Sequence, residues 1–218
     1  MKVALSWSSG KDSAWALHVL RSRDGVEPAA LLTTVTETYD RVSMHGVRRS
    51  VLQAQADAAG LPLVSVAIPS PCSNEIYEER MGRAVQSLVN EGFTHVAFGD
   101  LFLEDVRAYR EDRLRGTGLQ PIFPLWNRPT RELAREMIGA GLRARITCLD
   151  PRAMPRELIG RAFDESLLAA LPPDVDPCGE RGEFHTCVTA GPMFTNAIVV
   201  TPGAVVERDG FVFVDLEK

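Results

Sequence analysis

The stretch Ser8-Ser9-Gly10-Lys11-Asp12-Ser13 stands between an apolar run suited to a buried strand, residues 3–7, and a segment, residues 12–21, that sets Trp15, Ala16, Val19 and Leu20 on one helical face. A loop so placed lies in the crevice where ligands bind open α/β sheets. Its small residues let backbone N–H groups approach an anion, and the helix that follows adds partial positive charge. The hydroxyls of Ser8, Ser9 and Ser13 and the ammonium of Lys11 are further donors, so the run reads as a phosphate cradle. It is not a Walker A loop: Leu5 stands where that motif needs its first glycine, and Asp12 where Ser or Thr must follow the lysine. The plainer alternative is a serine-rich turn that caps the helix, with Asp12 as its N-cap or first-turn acid.

Outward from this loop, strand-like runs recur at residues 29–35, 63–68 and 95–98. Between them, Val47, Val51, Ala54 and Ala58 keep helical spacing until Gly60-Leu61-Pro62, and Ala84, Val85, Leu88 and Val89 do so within residues 75–91. Strands alternating with amphipathic helices predict an α/β fold, a Rossmann-like, mostly parallel sheet covered on both faces. Pro124 and Pro129 then punctuate the chain, which predicts a nucleotide-binding domain over residues 1–126 and a smaller C-terminal α+β domain over residues 127–218. The second part reads as a helix holding Leu133, Ala134, Met137 and Ile138, a strand at residues 144–149, a helix around residues 158–170, and a terminal hairpin. The hairpin joins residues 204–207 to 211–214 through Asp209-Gly210, a dipeptide suited to positive φ angles.

The 218 residues carry a formal net charge of −5, which leaves no overall basic footprint for a phosphate backbone and makes nucleic acid a poor first partner. No signal-peptide pattern and no membrane-length apolar stretch are evident, so a cytoplasmic location and no membrane partner are expected. Cys72, Cys148, Cys178 and Cys187 are far apart with no C-x-x-C pair, which argues against a zinc site or a dithiol relay. Cys178 and Cys187 are the two worth considering as nucleophiles, because they flank an acidic segment.

That segment, residues 176–186, gathers Glu180, Glu183, His185, Thr186 and three of the chain's turn-forming residues, Pro177, Gly179 and Gly182. It is too turn-rich for a core element, and such loops often carry chemistry. His185 alone would read as a loop histidine bonded to backbone; Glu180, Glu183 and Thr186 around it favour a site. Together, S-x-G-K-D-S at the N-terminus and G-E-x-G-E-F-H-T here resemble the diphthine–ammonia ligase family, a branch of the PP-loop ATP pyrophosphatases of HUP-like fold. The likeness extends to Met44-His45, Phe98-Gly99-Asp100 and Pro124-Leu125-Trp126. One departure is Ser9, where the PP-loop signature has glycine.

The resemblance implies a ligase that uses ATP and Mg²⁺ to adenylate a carboxylate, releases pyrophosphate and forms an amide with ammonia. Its acceptor would be diphthine on translation elongation factor if the source makes diphthamide. Ser8, Ser9, Gly10, Lys11, Asp12, Ser13 and Asp100 would then bind ATP, with Asp12 and Asp100 as metal ligands. Lys11 would support the departing pyrophosphate, Glu183 or His185 would deprotonate ammonium or orient the acyl group, and His45, Glu180 and Thr186 would meet the substrate. Asp100 is as readily a helix cap, and His45 as readily a surface histidine. The run from Arg107 to Arg113 reads as a solvated helix face. The sheet half is expected to bind nucleotide unaided, with residues 179–186 closing over it as a movable surface. A homodimer is compatible with all of this. Sulfur transfer to tRNA is disfavoured by the acidic balance and absent cysteine pair. A nucleotide sensor or hydrolase of the same fold, holding ATP or AMP, is the competing class.

Overall fold

The computed structural model describes residues 1–38, 40–42 and 45–218; Met44, part of the resemblance, lies outside them. The first sheet is built from β1 (Lys2–Ser6), β2 (Glu27–Thr36), β3 (Arg41–Val42), β4 (Leu63–Ile68), β5 (His95–Ala97) and β6 (Gln120–Ile122). Strands β4, β2, β1, β5 and β6 lie side by side and parallel, in that order. Between them run α1 (Lys11–Arg21), α2 (Arg49–Ala59), α3 (Asn74–Asn90) and α4 (Glu104–Leu114). The expected Rossmann-like sheet is therefore present. β1 ends at Ser6, opposite Leu32, while β2 continues to Thr36 and pairs there with antiparallel β3. That short strand thus sits past the carboxyl end of β1, beside the loop of residues 8–13.

The second part holds α5 (Thr130–Gly139), β7 (Arg143–Leu149), α6 (Glu165–Ala170), β8 (Phe184–Ala190), β9 (Thr201–Arg208) and β10 (Phe211–Glu217). Its four strands form an antiparallel sheet in the order β8, β7, β10, β9. The hairpin turn is as expected, with φ of 51° at Asp209 and 81° at Gly210. The helix expected around residues 158–170 is not continuous. A 3₁₀ turn, Arg156–Leu158, stops at Gly160, whose φ is 77°. Residues 160–163 then run beside β7, with Gly160 N–H donating to Ile146 O at 3.0 Å and Phe163 N–H to Ala144 O at 2.8 Å. Only after Asp164, whose carboxylate caps Leu167 N–H at 2.8 Å, does α6 begin. Backbone pairing with β7 overrides helical propensity there.

A single buried apolar cluster runs through both parts, taking in Leu5, Trp15 and Leu52 together with Met137, Ile146, Val188 and Val212. The two parts also share polar links. Val188 N–H on β8 donates to Ser9 O at 3.0 Å. Gln55 on α2, fully buried, donates from Nε2 to Ser9 O at 3.1 Å and to Val188 O at 2.8 Å, and accepts from Trp7 Nε1 at 2.9 Å.

Candidate active site

The loop of residues 8–13 closes on itself before it can close on a ligand. Ser13 Oγ donates to Gly10 O at 3.0 Å and lies 3.2 Å from Ser8 Oγ, while Gly10 N–H donates to Ser8 Oγ at 3.3 Å. Gly10 N is thus used internally, and Lys11 N–H donates to Thr186 Oγ1 of β8 at 3.1 Å. Ser9 adopts a φ of 71°, the left-handed region that costs a non-glycine residue about 1–3 kcal/mol and persists only where the surroundings enforce it. Here Gln55 and Val188 grip its carbonyl. Its hydroxyl is buried without a partner and is not part of the cavity wall.

A cavity of about 760 Å³ opens above the carboxyl ends of the strands, within the usual range for small-molecule sites. Its wall includes Ser8, Asp12 and Ser13 from the loop, Asp100 after β5, His45 after β3, and Glu180, His185 and Thr186 from the second part. Residues far apart in the chain are thus brought to one space. Gly99 permits the approach: a Cβ there would lie 2.9 Å from Asp12 C and from Ser13 N, inside the backbone of the first turn of α1. Glu180 Oε1 accepts from Leu101 N–H at 2.7 Å and so ties the second part to the turn that carries Asp100.

Three buried atoms of residues that line this space lack hydrogen-bond partners: Asp12 Oδ1, Asp100 Oδ2 and Arg110 Nε. The last two are 3.6 Å apart, an ion pair but not a hydrogen bond. Burial pushes the Asp12 and Asp100 carboxyls above the usual range, against the pull of Lys11 on the first and Arg110 on the second. Burial also pushes Glu180 up to about 7, with the charges of Asp12 and Asp100 adding to it. His185 is lowered to about 4 by burial and by Lys11. His45, its ring 4.6 Å from that of His185, is held well below its ordinary value, by burial first and then by His185. Both imidazoles are therefore neutral at pH 7, and His45 Nδ1 lies 3.3 Å from Thr186 O.

Lys11 lies deeper than a phosphate-facing lysine would. Its ammonium donates to Asp12 Oδ2 at 2.9 Å and to Cys178 O, and sits 5.3 Å from the Phe184 ring centroid and 5.5 Å from that of Phe163. Burial acts to lower its pKa, but the pull of Asp12, joined by Cys178 and Glu180, holds the group above its ordinary value.

The two halves of the chain match two family models, the diphthamide synthase N-terminal domain over residues 1–121 and the diphthamide synthase C-terminal domain over residues 129–216. The chain belongs to the diphthamide synthase family. It is similar to the diphthine–ammonia ligase of Homo sapiens, 27% identical over 228 residues that cover 94% of this chain and 85% of that protein. The diphthine–ammonia ligase of Bos taurus is 26% identical over 235 residues, covering 98% and 88%. That of Schizosaccharomyces pombe is 26% identical over 227 residues, covering 95% of this chain and 37% of the longer protein. At these identities diphthamide synthase membership carries function at the level of the family, ligase-like and ATP-using.

Within this candidate site, the segment of residues 176–186 is not the open loop its turn residues suggest. Phe184, His185 and Thr186 already belong to β8, and Phe184 is buried. Glu183 lies outside the cavity wall: one carboxylate oxygen accepts from Asp176 N–H at 3.0 Å, the other from Arg181 N–H at 2.9 Å. It braces the turn, while Glu180 enters the cavity. Asp176 braces the same turn through Cys178 N–H at 2.9 Å and Thr130 Oγ1 at 2.6 Å. The two cysteines are poor nucleophiles, since burial raises the Cys178 thiol strongly and pushes Cys187 up to about 12.

Sequence reasoning missed three residues. The run from Arg107 to Arg113 is not merely solvated: the Arg110 guanidinium lies 5.0 Å from the Phe98 ring centroid, and Arg110 and Arg113 line the cavity. No local signal reveals this, because Phe98 and Asp100 meet Arg110 only through folding. Gln55 did have a signal, a polar residue four after Val51 on the apolar stripe of its helix.

Proposed function

We propose that the chain is an ATP-dependent ligase that adenylates a carboxylate, releases pyrophosphate and joins the acyl group to ammonia, with diphthine on a translation elongation factor as the acceptor. The observation that carries this reading is the meeting of the Ser8–Ser13 loop with Glu180, His185 and Thr186 in one cavity, lined also by Asp12 and Asp100, each with a buried carboxylate oxygen that has no hydrogen-bond partner. The oxygens of Asp12 and Asp100 fit Mg²⁺, which takes one or two carboxylates and completes its shell with water and substrate phosphates. Among the described residues no cluster of three or more ligating side chains is present, in keeping with a cation that arrives with the nucleotide rather than one caged by protein. When bound, Mg²⁺ supplies charge neutralisation to the phosphates.

The remaining work falls to the chain's own groups. The loop and the amino end of α1 hold the β- and γ-phosphates. A carboxylate oxygen of the acceptor forms a bond to the α-phosphorus as the bond to pyrophosphate breaks. Ammonia then forms a bond to the acyl carbon as AMP leaves, and the nitrogen loses a proton. Glu180, with a pKa near neutrality, is the group matched to accept it, and neutral His185 and His45 orient the acyl group by hydrogen bonding. The braced turn of residues 176–183 covers the cavity and keeps water from the acyl-adenylate.

Incubation with MgATP, ammonium and elongation factor bearing diphthine tests the reading. Equal amounts of AMP, pyrophosphate and amide are expected, all dependent on both ammonium and acceptor. Steady formation of ADP and phosphate would overturn it in favour of another phosphotransfer enzyme, and tight nucleotide binding with no turnover in favour of a sensor.

A further inference from the structure

The last strand, β10, has two working faces. Val212, Val214 and Leu216 are buried in the core. Phe213, Asp215 and Glu217 alternate with them on the opposite face, and all three meet the turn that carries His45. A Cβ on Gly46, where φ is 67°, would lie 3.1 Å from the Phe213 ring. Asp215 Oδ1 accepts from Arg41 at 2.6 Å and from Arg48 Nε at 3.0 Å, its other oxygen accepts from Arg48 Nε at 2.9 Å, and Glu217 accepts from Arg48 at 2.6 Å. Arg41 and Arg48 are themselves bridged across the turn, and Val42 N–H donates to Val47 O at 2.8 Å. Without a carboxylate between them these two guanidinium groups would repel. One residue of the terminal strand thus gathers both stems of the turn, and the turn sets His45 against Thr186 and His185.

We propose that Asp215 is a positioning residue that latches this turn and so holds the His45 imidazole in the cavity. Only its consequence for turnover rests on the ligase reading; the latch stands or falls without it. Hydrogen bonds from Arg48 and then Arg41 hold the Asp215 carboxyl well below the usual carboxylate range, which favours its charged form.

The test is an NMR titration of His45 in the full chain. The ring is faced by His185, by Lys11 and by the Thr186 carbonyl, and burial among them keeps its proton affinity low. Asp215→Asn should release the turn to water and raise the His45 midpoint by about one unit or more, a tenfold gain in proton affinity. The methyl signals of Val188 and Val212 should stay in place. Asp215→Glu, which keeps the charge, should recover part of the difference, and Arg48→Gln, milder because it leaves Arg41 paired, should give a smaller shift in the same direction. An unchanged His45 midpoint in folded Asp215→Asn and Arg48→Gln overturns the latch, as does a shift matched by movement of the core methyl signals. If the midpoint shifts but AMP formation is unaffected, the latch holds and the part assigned to His45 in the reaction fails.

Discussion

At the scale of single residues, Glu180 and Glu183 show how one motif divides its labour. Two carboxylates three positions apart in the same turn-rich segment look alike as letters, yet one is tied by two backbone N–H groups and the other lines the cavity. Glu183→Gln should therefore weaken folding by about 1–3 kcal/mol, the scale of a charged hydrogen bond lost in a buried site, read as a lower denaturation midpoint. Glu180→Gln should leave ATP affinity within a few-fold and lower turnover about a hundredfold, the scale of a positioned base. A second measurement isolates Glu180 without a substrate. Its ordinary pKa of 4.5 is pushed up to about 7 in the folded chain, so between those values the folded state keeps a proton the unfolded state has lost. Stability from this group is full below pH 4.5 and falls as pH rises to about 7. Urea midpoints at pH 5 and pH 8 should drop less in Glu180→Gln than in the parent; an equal drop would show that Glu180 is not the buried acid.

At the scale of elements, the site depends on how closely β5 and α1 approach. Gly99 is the point of contact, and any Cβ there meets backbone that cannot turn aside. Gly99→Ala should separate Asp100 from Asp12, destabilise the chain by about 2 kcal/mol or more through overpacking, and weaken ATP binding more than tenfold in calorimetry. Normal affinity in that variant would mean that the approach of the two turns does not shape the nucleotide site. The first strands and helices were readable because alternating apolar runs and helical stripes repeat with clear turn signals. β6 was not: Gln120–Ile122 is three residues long and contains a proline, which its edge position tolerates. The expected helix over residues 158–170 failed for the opposite reason, since a local pattern was overruled by pairing with β7.

At the scale of the whole molecule, the loop of residues 8–13 is held largely by the other half of the chain. Lys11 N–H reaches Thr186, its ammonium reaches Cys178 O, and Ser9 O is shared between Gln55 and Val188. The buried cluster is likewise continuous from Leu5 to Val212. The expectation that residues 1–126 bind nucleotide unaided therefore runs against the packing. That fragment, expressed alone, should show little cooperative unfolding and at least tenfold weaker ATP binding than the full chain; independent folding with full affinity would refute this. The segment of residues 179–186 expected to move is itself braced by bonds between backbone N–H groups and carboxylates: Glu180 N–H to Asp176, Arg181 N–H to Glu183, and Leu101 N–H to Glu180.

The sequence by itself determined the alternating sheet, the loop after β1, the hairpin turn and the resemblance to a family, because each is written in local periodicity or in a short run of residues. Tertiary structure alone decided which acid enters the cavity, that Arg110 faces Asp100, that Gln55 and β8 enforce the strained Ser9, and that Asp215 stands behind His45. The physical reason is sequence separation. Those contacts join residues from ten to more than a hundred positions apart, and contacts of that kind leave no period and no turn signal in the chain that makes them.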